Sequence, residues 1–336
     1  MTKIMQTPKS IAQQQGVALL TILIMVVLAT ILAVSILQQQ KANLDETRLL
    51  LRQDQALMYA QSAEYFLSEL LVQDSKDNNN DNLNEPWAKP MPIFPVEDGF
   101  VSAYLKDEQG KFNLNSLLKA DGSVNEPAKQ LFKNMLKRLQ LDENLVEAVI
   151  DWQDHDDETL GAMGAENSFY QGLQHDYLAP NQMMTSVEQL QWIRGFAGEP
   201  YQKLKSHVTV LPRHESKINL NTADAFLLSC LSEQLSILAV RDALKQQRES
   251  LHTFNDFNGL WELAPFSAID AGQRNTFADL FDVKSQFFSA YITVSLSERQ
   301  RTLKSLLFRD ENQVQTYQRS WSLGVVPPPQ TNVIQN

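Results

Sequence analysis

The feature that most constrains this chain is an uncharged apolar run near its beginning. From Val17 to Leu37 the sequence reads VALLTILIMVVLATILAVSIL, and its only polar residues are Thr21, Thr30 and Ser35. At 1.5 Å per residue, a helix of this length spans roughly 30 Å, which is the thickness of a bilayer core. Only a helix pairs all of its own backbone groups in lipid. The sequence therefore predicts a transmembrane helix over residues 17–37.

The charges that flank this run predict its orientation. Lys3 and Lys9 precede it, whereas the first acidic residue of the chain is Asp45. Because basic flanks stay in the cytoplasm, residues 1–16 are expected there and the chain after about Gln38 on the other side. A secretory signal peptide is disfavoured, since its apolar region has roughly 7–15 residues and ends at small residues.

A glycine joins the basic leader to the apolar run. The junction reads Gln15-Gly16-Val17-Ala18-Leu19-Leu20, and it resembles the signal of type IV prepilins and pseudopilins, which the prepilin peptidase cleaves after the glycine. The resemblance implies that residues 1–16 are a leader, that Gly16 and Val17 form the processing site, and that Val17 becomes the methylated N-terminus. It also implies a single-pass protein of the inner membrane, with its N-terminus in the cytoplasm and the bulk of the chain in the periplasm.

The fifth residue after the expected cleavage site departs from the usual pattern. Most members of that family carry a glutamate there, whereas this chain has Thr21. A carboxylate in lipid is costly unless it meets a cation, and in the family that cation is the N-terminal amine of a neighbouring subunit. A subunit without the carboxylate cannot offer this contact to a subunit already in place, so it fits best at the start of a filament. This departure and the large extracytoplasmic part resemble the K-type minor pseudopilins of type II secretion.

The resemblance implies a subunit at the tip of the pseudopilus that initiates its assembly, for export of folded proteins across the outer membrane. The implied partners are the I- and J-type minor pseudopilins and, less directly, the H type. The inner-membrane assembly platform, the prepilin peptidase and inner-membrane lipid are implied as well. Nucleic acid is not expected as a partner, because the formal charge is −11 and phosphate binding needs clustered Lys and Arg.

The segment after the apolar run predicts a continuous helix. Residues 38–72 contain neither Gly nor Pro, and they carry Leu44, Leu51, Met58 and Tyr65 at intervals of seven. This spacing predicts an extracytoplasmic spine helix whose apolar stripe packs on a sheet.

Alternating apolar residues predict strands in two separate parts of the chain, 73–115 and 283–325. The stretch 99–114 is expected to form a hairpin, and three antiparallel strands are expected after Phe287. Together these parts indicate an α+β, pilin-like fold, in which a long transmembrane and spine helix packs on a small antiparallel sheet.

The residues between the two strand regions have a helical pattern. Residues 116–282 are expected to form a large all-α insertion domain, which in the resemblance distinguishes K-type pseudopilins from their smaller relatives. The closing residues 326–336 contain Pro327-Pro328-Pro329 and predict a disordered tail.

Acidic residues are concentrated within this helical region. Residues 139–193 contain eleven Asp and Glu but no Lys or Arg, and such a field repels itself unless a cation is near. Calcium prefers hard oxygen ligands of this kind, although the spacing is not that of an EF-hand. Composition alone leaves a calcium site and a solvated acidic loop equally open.

Two short motifs favour the calcium interpretation. K-type pseudopilins carry D-W-x-D-x-D and then G-A-E-[DN]-x-[FY]-Y in this region, matched here by Asp151–Asp156 and Gly164–Tyr170. Calcium binding is attributed to the helical domain of that family, so the resemblance implies a structural calcium ion. The candidate ligands are the carboxylates of Asp154, Asp156, Asp157, Glu158 and Glu166.

Enzyme chemistry is not expected. His155 and His175 lie near the acidic run, but no H-E-x-x-H or G-x-S-x-G motif accompanies them, and no catalytic residue is assigned. A signal-anchored periplasmic metal-dependent enzyme stays open as an alternative. A minor type IV pilin is a second one, although such pilins usually retain the fifth-position glutamate and often close a C-terminal disulfide loop, whereas Cys230 is the single cysteine here.

Overall fold

The structure is a computed structural model that describes residues 15–77, 79–297, 299–311 and 313–323. Almost all of the predicted leader and all of the predicted tail 326–336 lie outside the described residues. The chain divides into two compact units, the first ending at Met58 and the second beginning at Tyr59.

The described residues of the first unit belong to one long helix, α1 (Gln15–Asp77), which continues into the second unit. Among the described residues, α1 is the one helix long and apolar enough to cross a membrane. Its polar side chains are accommodated within the helix, since Thr21 Oγ1 donates to the Ala18 carbonyl at 2.8 Å and Thr30 Oγ1 to the Val26 carbonyl at 2.9 Å. Such hydroxyls leave no unpaired donor in lipid.

Within the second unit, α1 buries a different face from the one predicted. Tyr65, the residue of the predicted stripe that lies in this unit, is more than half exposed, as are Leu44, Leu51 and Met58 in the first unit. The apolar α1 residues that the second unit buries are Ala60, Ala63, Leu67 and Leu71. The prediction was wrong because spacings of three and four follow the 3.6-residue helical period, and because small alanines let the helix lie close to the sheet.

Five antiparallel strands form the sheet of the second unit. The strands of the described residues are β1 (Phe94–Val96), β2 (Gly99–Asp107), β3 (Phe112–Asn113), β4 (Val208–Thr209), β5 (Ile218–Asn219), β6 (Phe281–Asp282), β7 (Phe287–Leu296), β8 (Arg299–Asp310) and β9 (Gln313–Leu323). The order in the sheet is β1-β2-β7-β8-β9. The predicted trio after Phe287 is therefore confirmed as β7, β8 and β9.

The predicted hairpin over 99–114 does not form. β2 pairs with β7 from Gly99↔Leu296 to Asp107↔Phe288, whereas β3 leaves the sheet and pairs in parallel with β4. A turn redirects the chain, because the Asp107 carboxylate accepts a hydrogen bond from Gln109 N at 2.8 Å. The long partner β7 offers many more backbone hydrogen bonds to β2 than a two-residue return strand could.

Helices fill the region between β3 and β6. They are α2 (Glu126–Arg138), α3 (Leu145–Asp151), α4 (Asn167–Gln171), α5 (Glu199–Leu204), α6 (Ala225–Ser229), α7 (Ile237–Glu249) and α8 (Ala271–Arg274), with 3₁₀ turns between them. Helix α2 begins after the cap Asn125 and buries Leu131, Phe132, Met135 and Leu136 completely. The short parallel pairs β3–β4 and β5–β6, which form two separate two-stranded sheets, were not predicted.

A buried polar network fastens the helical region to the sheet. Asn219 of β5 donates to Asp107 Oδ2 at 3.2 Å, to Ser285 Oγ at 2.8 Å and to the Asp81 carbonyl at 3.0 Å. Burial raises the pKa of Asp107 to about 6, although hydrogen bonds from Ser285 and Thr222 oppose the rise. Buried amides and carboxylates are costly when they are unpaired. This network therefore fixes one orientation of the helical region relative to the sheet within the second unit.

Candidate metal centre

Three carboxylates converge where α3 ends and α4 begins. Asp151 is the last residue of α3, Asp154 lies in the turn that follows, and Glu166 is the residue before α4. One carboxylate oxygen from each lies within 4.8 Å of the others. Asp151 and Glu166 are buried, and Asp154 is partly buried. The loop between the helices therefore brings three formal negative charges into one small, mostly dry space.

These carboxylates are poorly compensated by the protein itself. Asp154 Oδ1 and both Glu166 carboxylate oxygens are buried without a hydrogen-bond partner. The first cation after the acidic stretch, Arg194, donates to the Gly164 carbonyl at 2.9 Å and lies 4.8 Å from the centre of the Phe169 ring. No salt bridge to the three carboxylates occurs within the described ranges. Buried charge without a partner is strongly unfavourable, so the group favours a bound cation.

The pKa values of the three carboxylates reflect the same lack of compensating positive charge. Burial, reinforced by the charges of neighbouring carboxylates, raises the pKa of Asp154 to about 7 and that of Glu166 to about 8. Burial also raises the pKa of Asp151 to about 6, although backbone N–H groups of Leu160 and Ala165 oppose the rise. At neutral pH the three groups cannot all stay ionised without cost unless a positive charge joins them.

Two glycines let the loop close around this group. A Cβ atom at Gly164 would collide with Asp151 Oδ2, and one at Gly161 would collide with the Glu147 carboxylate. Gly161 also has a positive φ of 66°, which other residues rarely adopt. Glu147 Oε2 accepts a hydrogen bond from Met163 N at 2.9 Å. The glycines thus allow the backbone to pass close to the carboxylates, as a tight ion-binding loop requires.

Two of the five predicted ligands, Asp154 and Glu166, belong to this group. The other three, Asp156, Asp157 and Glu158, lie outside it. Asp156 Oδ1 accepts from Glu158 N at 2.8 Å, Asp157 Oδ1 accepts from Asn167 Nδ2 at 2.7 Å, and Glu158 is exposed. Asp151 was not among the predicted ligands, although it opens the D-W-x-D motif and its carboxylate belongs to this group. Its place in an apolar helical pattern gave no sign of where that carboxylate points.

A second carboxylate group in the same unit has a protein-derived counter-ion. Asp74, Asp81 and Glu85 also bring carboxylate oxygens within 4.8 Å of one another. Arg309 of β8 lies against them, with Nη1 3.1 Å from Asp74 Oδ2 and Nη2 2.6 Å from Asp81 Oδ1. Trp87 Nε1 donates to Glu85 Oε2 at 2.6 Å. Each carboxylate of this cluster thus has a hydrogen-bond partner in the protein, which sets the cluster apart from the group around Glu166.

Neither His155 nor His175 belongs to either of the two carboxylate groups. His155 Nδ1 lies 3.0 Å from the Asn181 carbonyl oxygen, and His175 is exposed. In the described part of the chain, the two candidate metal groups contain only Asp and Glu. An all-oxygen donor set is typical of calcium or magnesium rather than of a catalytic zinc.

Comparison with known proteins identifies the family. Two family profiles described as "Type II secretion system (T2SS), protein K" match residues 110–213 and 218–284, together more than half of the chain. A type II secretion system protein K of Aeromonas hydrophila is 30% identical over 322 residues, which cover 90% of this chain and 95% of that protein. The chain belongs to the type II secretion system protein K family. It is therefore a minor pseudopilin with the pilin-like fold and insertion domain that the sequence predicted.

Other relatives agree with this assignment to the protein K family. The type II secretion system protein K of Pseudomonas aeruginosa is 27% identical over 330 residues, covering 95% of this chain and 96% of that protein. A solved chain from the crystal structure of the GspK-GspI-GspJ complex of enterotoxigenic Escherichia coli has the same fold, with a TM-score of 0.74 at 24% identity. The match covers 83% of this chain and all of that one.

Proposed function

We propose that this chain is the tip subunit of the type II secretion pseudopilus and initiates its assembly with other minor pseudopilins. The observation that carries the proposal is the combination of protein K membership with an uncharged membrane helix that has Thr21 at the fifth position after Gly16. The Thr21 hydroxyl is satisfied within its own helix, by the Ala18 carbonyl. Because this hydroxyl is neutral, it offers no charge to the amine of a subunit added earlier, which suits the first position in a filament.

The proposed partners are the I- and J-type minor pseudopilins, with the H type next to them. The solved relative was crystallised with GspI and GspJ, and this supports an equivalent assembly here. The exposed residues Leu44, Leu51 and Met58 of α1 support it too. Since apolar side chains at intervals of seven are typical of helix-to-helix packing, we propose that they contact the spine helices of neighbouring subunits.

In this proposal, α1 anchors the subunit in the inner membrane, with the N-terminus in the cytoplasm and the second unit in the periplasm. The prepilin peptidase removes residues 1–16, and Val17 becomes the methylated N-terminus. The inner-membrane assembly platform then extracts the processed helix as the pseudopilus grows. The positive charges of Lys3 and Lys9 and the uncharged run after Gly16 support this orientation.

We also propose that Asp151, Asp154 and Glu166 hold a structural calcium ion. Their unpartnered buried oxygens and raised pKa values support a bound cation. Asp156 and Asp157 add negative potential, since both raise the pKa of Asp154. Calcium takes six to eight oxygens, so backbone carbonyls or water complete the shell. The ion would join the end of α3 to the start of α4 and so stabilise the helical region.

The alternatives differ from this proposal in what they require. A periplasmic metal-dependent enzyme needs an open metal position next to a nucleophile or base, whereas the carboxylates of Asp151 and Glu166 are buried. The relatives are secretion components by name, which supports a structural role without catalysis. A minor type IV pilin is disfavoured by Thr21 and by the single cysteine.

A complementation experiment tests the proposal. Deletion of the gene should abolish secretion of the proteins that the type II system exports and should abolish pseudopilus assembly. The wild-type chain should restore both, whereas a chain with Gly16→Leu, which the peptidase cannot process, should restore neither. A conservative Gly16→Ala control shows whether the glycine itself or only its small size is needed. Normal secretion and normal fibres in the deletion strain would contradict the proposal.

A further inference from the structure

A cleft of about 550 Å³ opens between the helical region and the face of the sheet that points away from α1. The register places Lys106 of β2 opposite Ser289 of β7, and Ser289 opposite Leu306 of β8. Lys304 lies two residues before Leu306 and so shares its face. Lys205, just after α5, lines the cleft from the helical side.

Positive charge is concentrated in this cleft, although the chain as a whole carries −11. The cationic residues that line it are Lys106, Lys111, Lys205 and Lys304, and the acidic residues are Glu108 and Glu188. The cleft therefore has a formal excess of positive charge within an acidic protein. A cleft with one sign of charge concentrates oppositely charged ligands.

The buried carboxylate of Glu108 is only half satisfied. Its Oε2 atom accepts from Lys111 Nζ at 2.9 Å and from Thr209 Oγ1 at 3.1 Å. Its Oε1 atom has no hydrogen-bond partner of normal geometry, although Glu108 is more than nine-tenths buried and lines the cleft. The Ser289 hydroxyl, which also lines the cleft, helps to lower the pKa of Glu108. Buried carboxylate oxygens are usually paired, so a ligand that supplies a donor would complete this group.

The lysines repel one another where they lie. The pKa of Lys106 is lowered by burial and then by the charges of Lys111 and Lys304, and Glu108 opposes the shift only partly. Burial raises the pKa of Glu108, but the charges of Lys111 and Lys304, with hydrogen bonds from Ser289 and Lys111, outweigh it and lower the pKa to about 2. The Glu108 carboxylate is thus the nearby negative charge for three ammonium groups, those of Lys106, Lys111 and Lys304. A ligand with further negative charge would reduce the repulsion between these lysines.

The edge of the sheet beside the cleft favours an extended chain as the ligand. Gln318 and Ser320 of β9 line the cleft, and β9 is the last strand of the sheet, so its outer backbone groups have no strand partner within the described ranges. Exposed edges of this kind bind extended peptides through backbone hydrogen bonds. Residues 1–14 and 324–336 contain no Asp or Glu, so neither segment supplies acidic side chains to the lysines.

We propose that this cleft binds an extended acidic segment of a partner protein. The carboxylates of the partner would contact Lys106, Lys111 and Lys304, and a backbone N–H group of the partner would donate to Glu108 Oε1. This inference goes beyond the proposed function, and it depends neither on the calcium ion nor on the processing of the leader.

Peptide binding to the full chain in detergent micelles tests this assignment. The probe is a fluorescein-labelled, end-capped hexaglutamate, with hexaglutamine as its neutral counterpart, measured by anisotropy at a fixed free calcium concentration. The test variant is Lys106→Gln with Lys304→Gln. The matched control is Lys119→Gln with Lys245→Gln, which removes the same charge at exposed lysines outside the cleft.

The wild type and the control variant should bind hexaglutamate with similar affinity, and the cleft variant should bind about tenfold or more weakly. Added salt should weaken binding to the wild type, and hexaglutamine should not bind. Equal binding by the two variants, or no binding by the wild type, would overturn the proposal. So would saturation of the cleft by inorganic phosphate without any peptide binding, which would indicate a small-anion site. Self-association of the full chain that is lost only in the cleft variant would assign the cleft to a second copy instead.

Discussion

Arg319 of β9 holds Glu64 of α1 with two hydrogen bonds, from Nη2 to Oε1 at 2.6 Å and from Nε to Oε2 at 3.0 Å. Glu64 is buried and also accepts from Thr316 Oγ1 at 2.7 Å. Burial by itself raises the pKa of Glu64, but the hydrogen bonds from Arg319, Ser305 and Thr316 outweigh it and lower the pKa below the usual 4.5. Together with the ion pair between Asp74 of α1 and Arg309 of β8, this contact fixes the position of the spine helix on the sheet within the second unit.

Glu64→Gln should lower the free energy of unfolding by about 1–3 kcal/mol, because hydrogen bonds to charged groups are lost at a buried site. The exposed Glu69→Gln on the same helix is the control, and it should change stability by less than about 0.5 kcal/mol. Since the folded pKa of Glu64 is lowered, its contribution is present above the unfolded pKa and is lost as the pH falls through the folded one. Denaturant unfolding at pH 7 and pH 3 measures this, and equal loss at both values would contradict it.

Calcium should raise the unfolding temperature of the wild type. A concentration one hundred times the dissociation constant corresponds to about 2.7 kcal/mol. Asp154→Asn with Glu166→Gln should abolish both the calcium-dependent shift and the heat of binding, whereas the exposed Glu158→Gln should preserve them. Calorimetry and thermal unfolding of the full chain provide the measurement. No binding by the wild type at millimolar calcium would end the calcium proposal.

Without calcium, the same carboxylates predict a pH dependence of opposite sign to that of Glu64. The folded pKa values of Asp154 and Glu166 are raised to about 7 and about 8, so the folded state binds protons that the unfolded state has released. Stability in a chelator should therefore fall as the pH rises from about 5 to about 8. Saturating calcium should remove this dependence, and the Asn and Gln double variant should lack it. Stability that rises over the same interval in the chelator would contradict the assignment.

Thr21 should tolerate a small apolar residue but not a carboxylate. Its hydroxyl bonds only within its own helix in the described structure, so Thr21→Ala should secrete normally. Thr21→Glu places an ionisable group in lipid, which is costly unless a cation meets it. If this subunit starts the filament, no older neighbour supplies that cation from the tip side, and secretion should fall. Full secretion by Thr21→Glu at equal protein levels would argue against the initiating position.

Local patterns were enough to predict the membrane helix and the trio β7, β8 and β9, because each rests on a strong signal within a continuous segment. Which strand pairs with which was harder to predict. The return of the chain after Asp107 resembled a hairpin, but β7, almost two hundred residues later, is the better partner for β2. Pairing across such a distance leaves no trace in the alternation of one strand.

The spine helix and the group of three carboxylates show a second reason why the sequence did not predict the whole structure. The heptad from Leu44 to Tyr65 was the more conspicuous apolar pattern. The face of α1 that is buried in the second unit is instead that of Ala60 and Ala63, because close approach requires small residues. Composition located the acidic loop, but only the path of the backbone between α3 and α4 brings Asp151 to Glu166. Which acids converge is decided by that path and not by their density in the sequence.

Mass spectrometry of the chain isolated from membranes tests most directly whether it enters the pseudopilus as a processed subunit. The N-terminal peptide should begin at Val17, carry one methyl group on its amine and retain the whole apolar run to Leu37. A Gly16→Leu variant should retain the peptide that begins at Met1. An N-terminus at Met1 in the wild type, or one beyond Leu37, would contradict a pseudopilin.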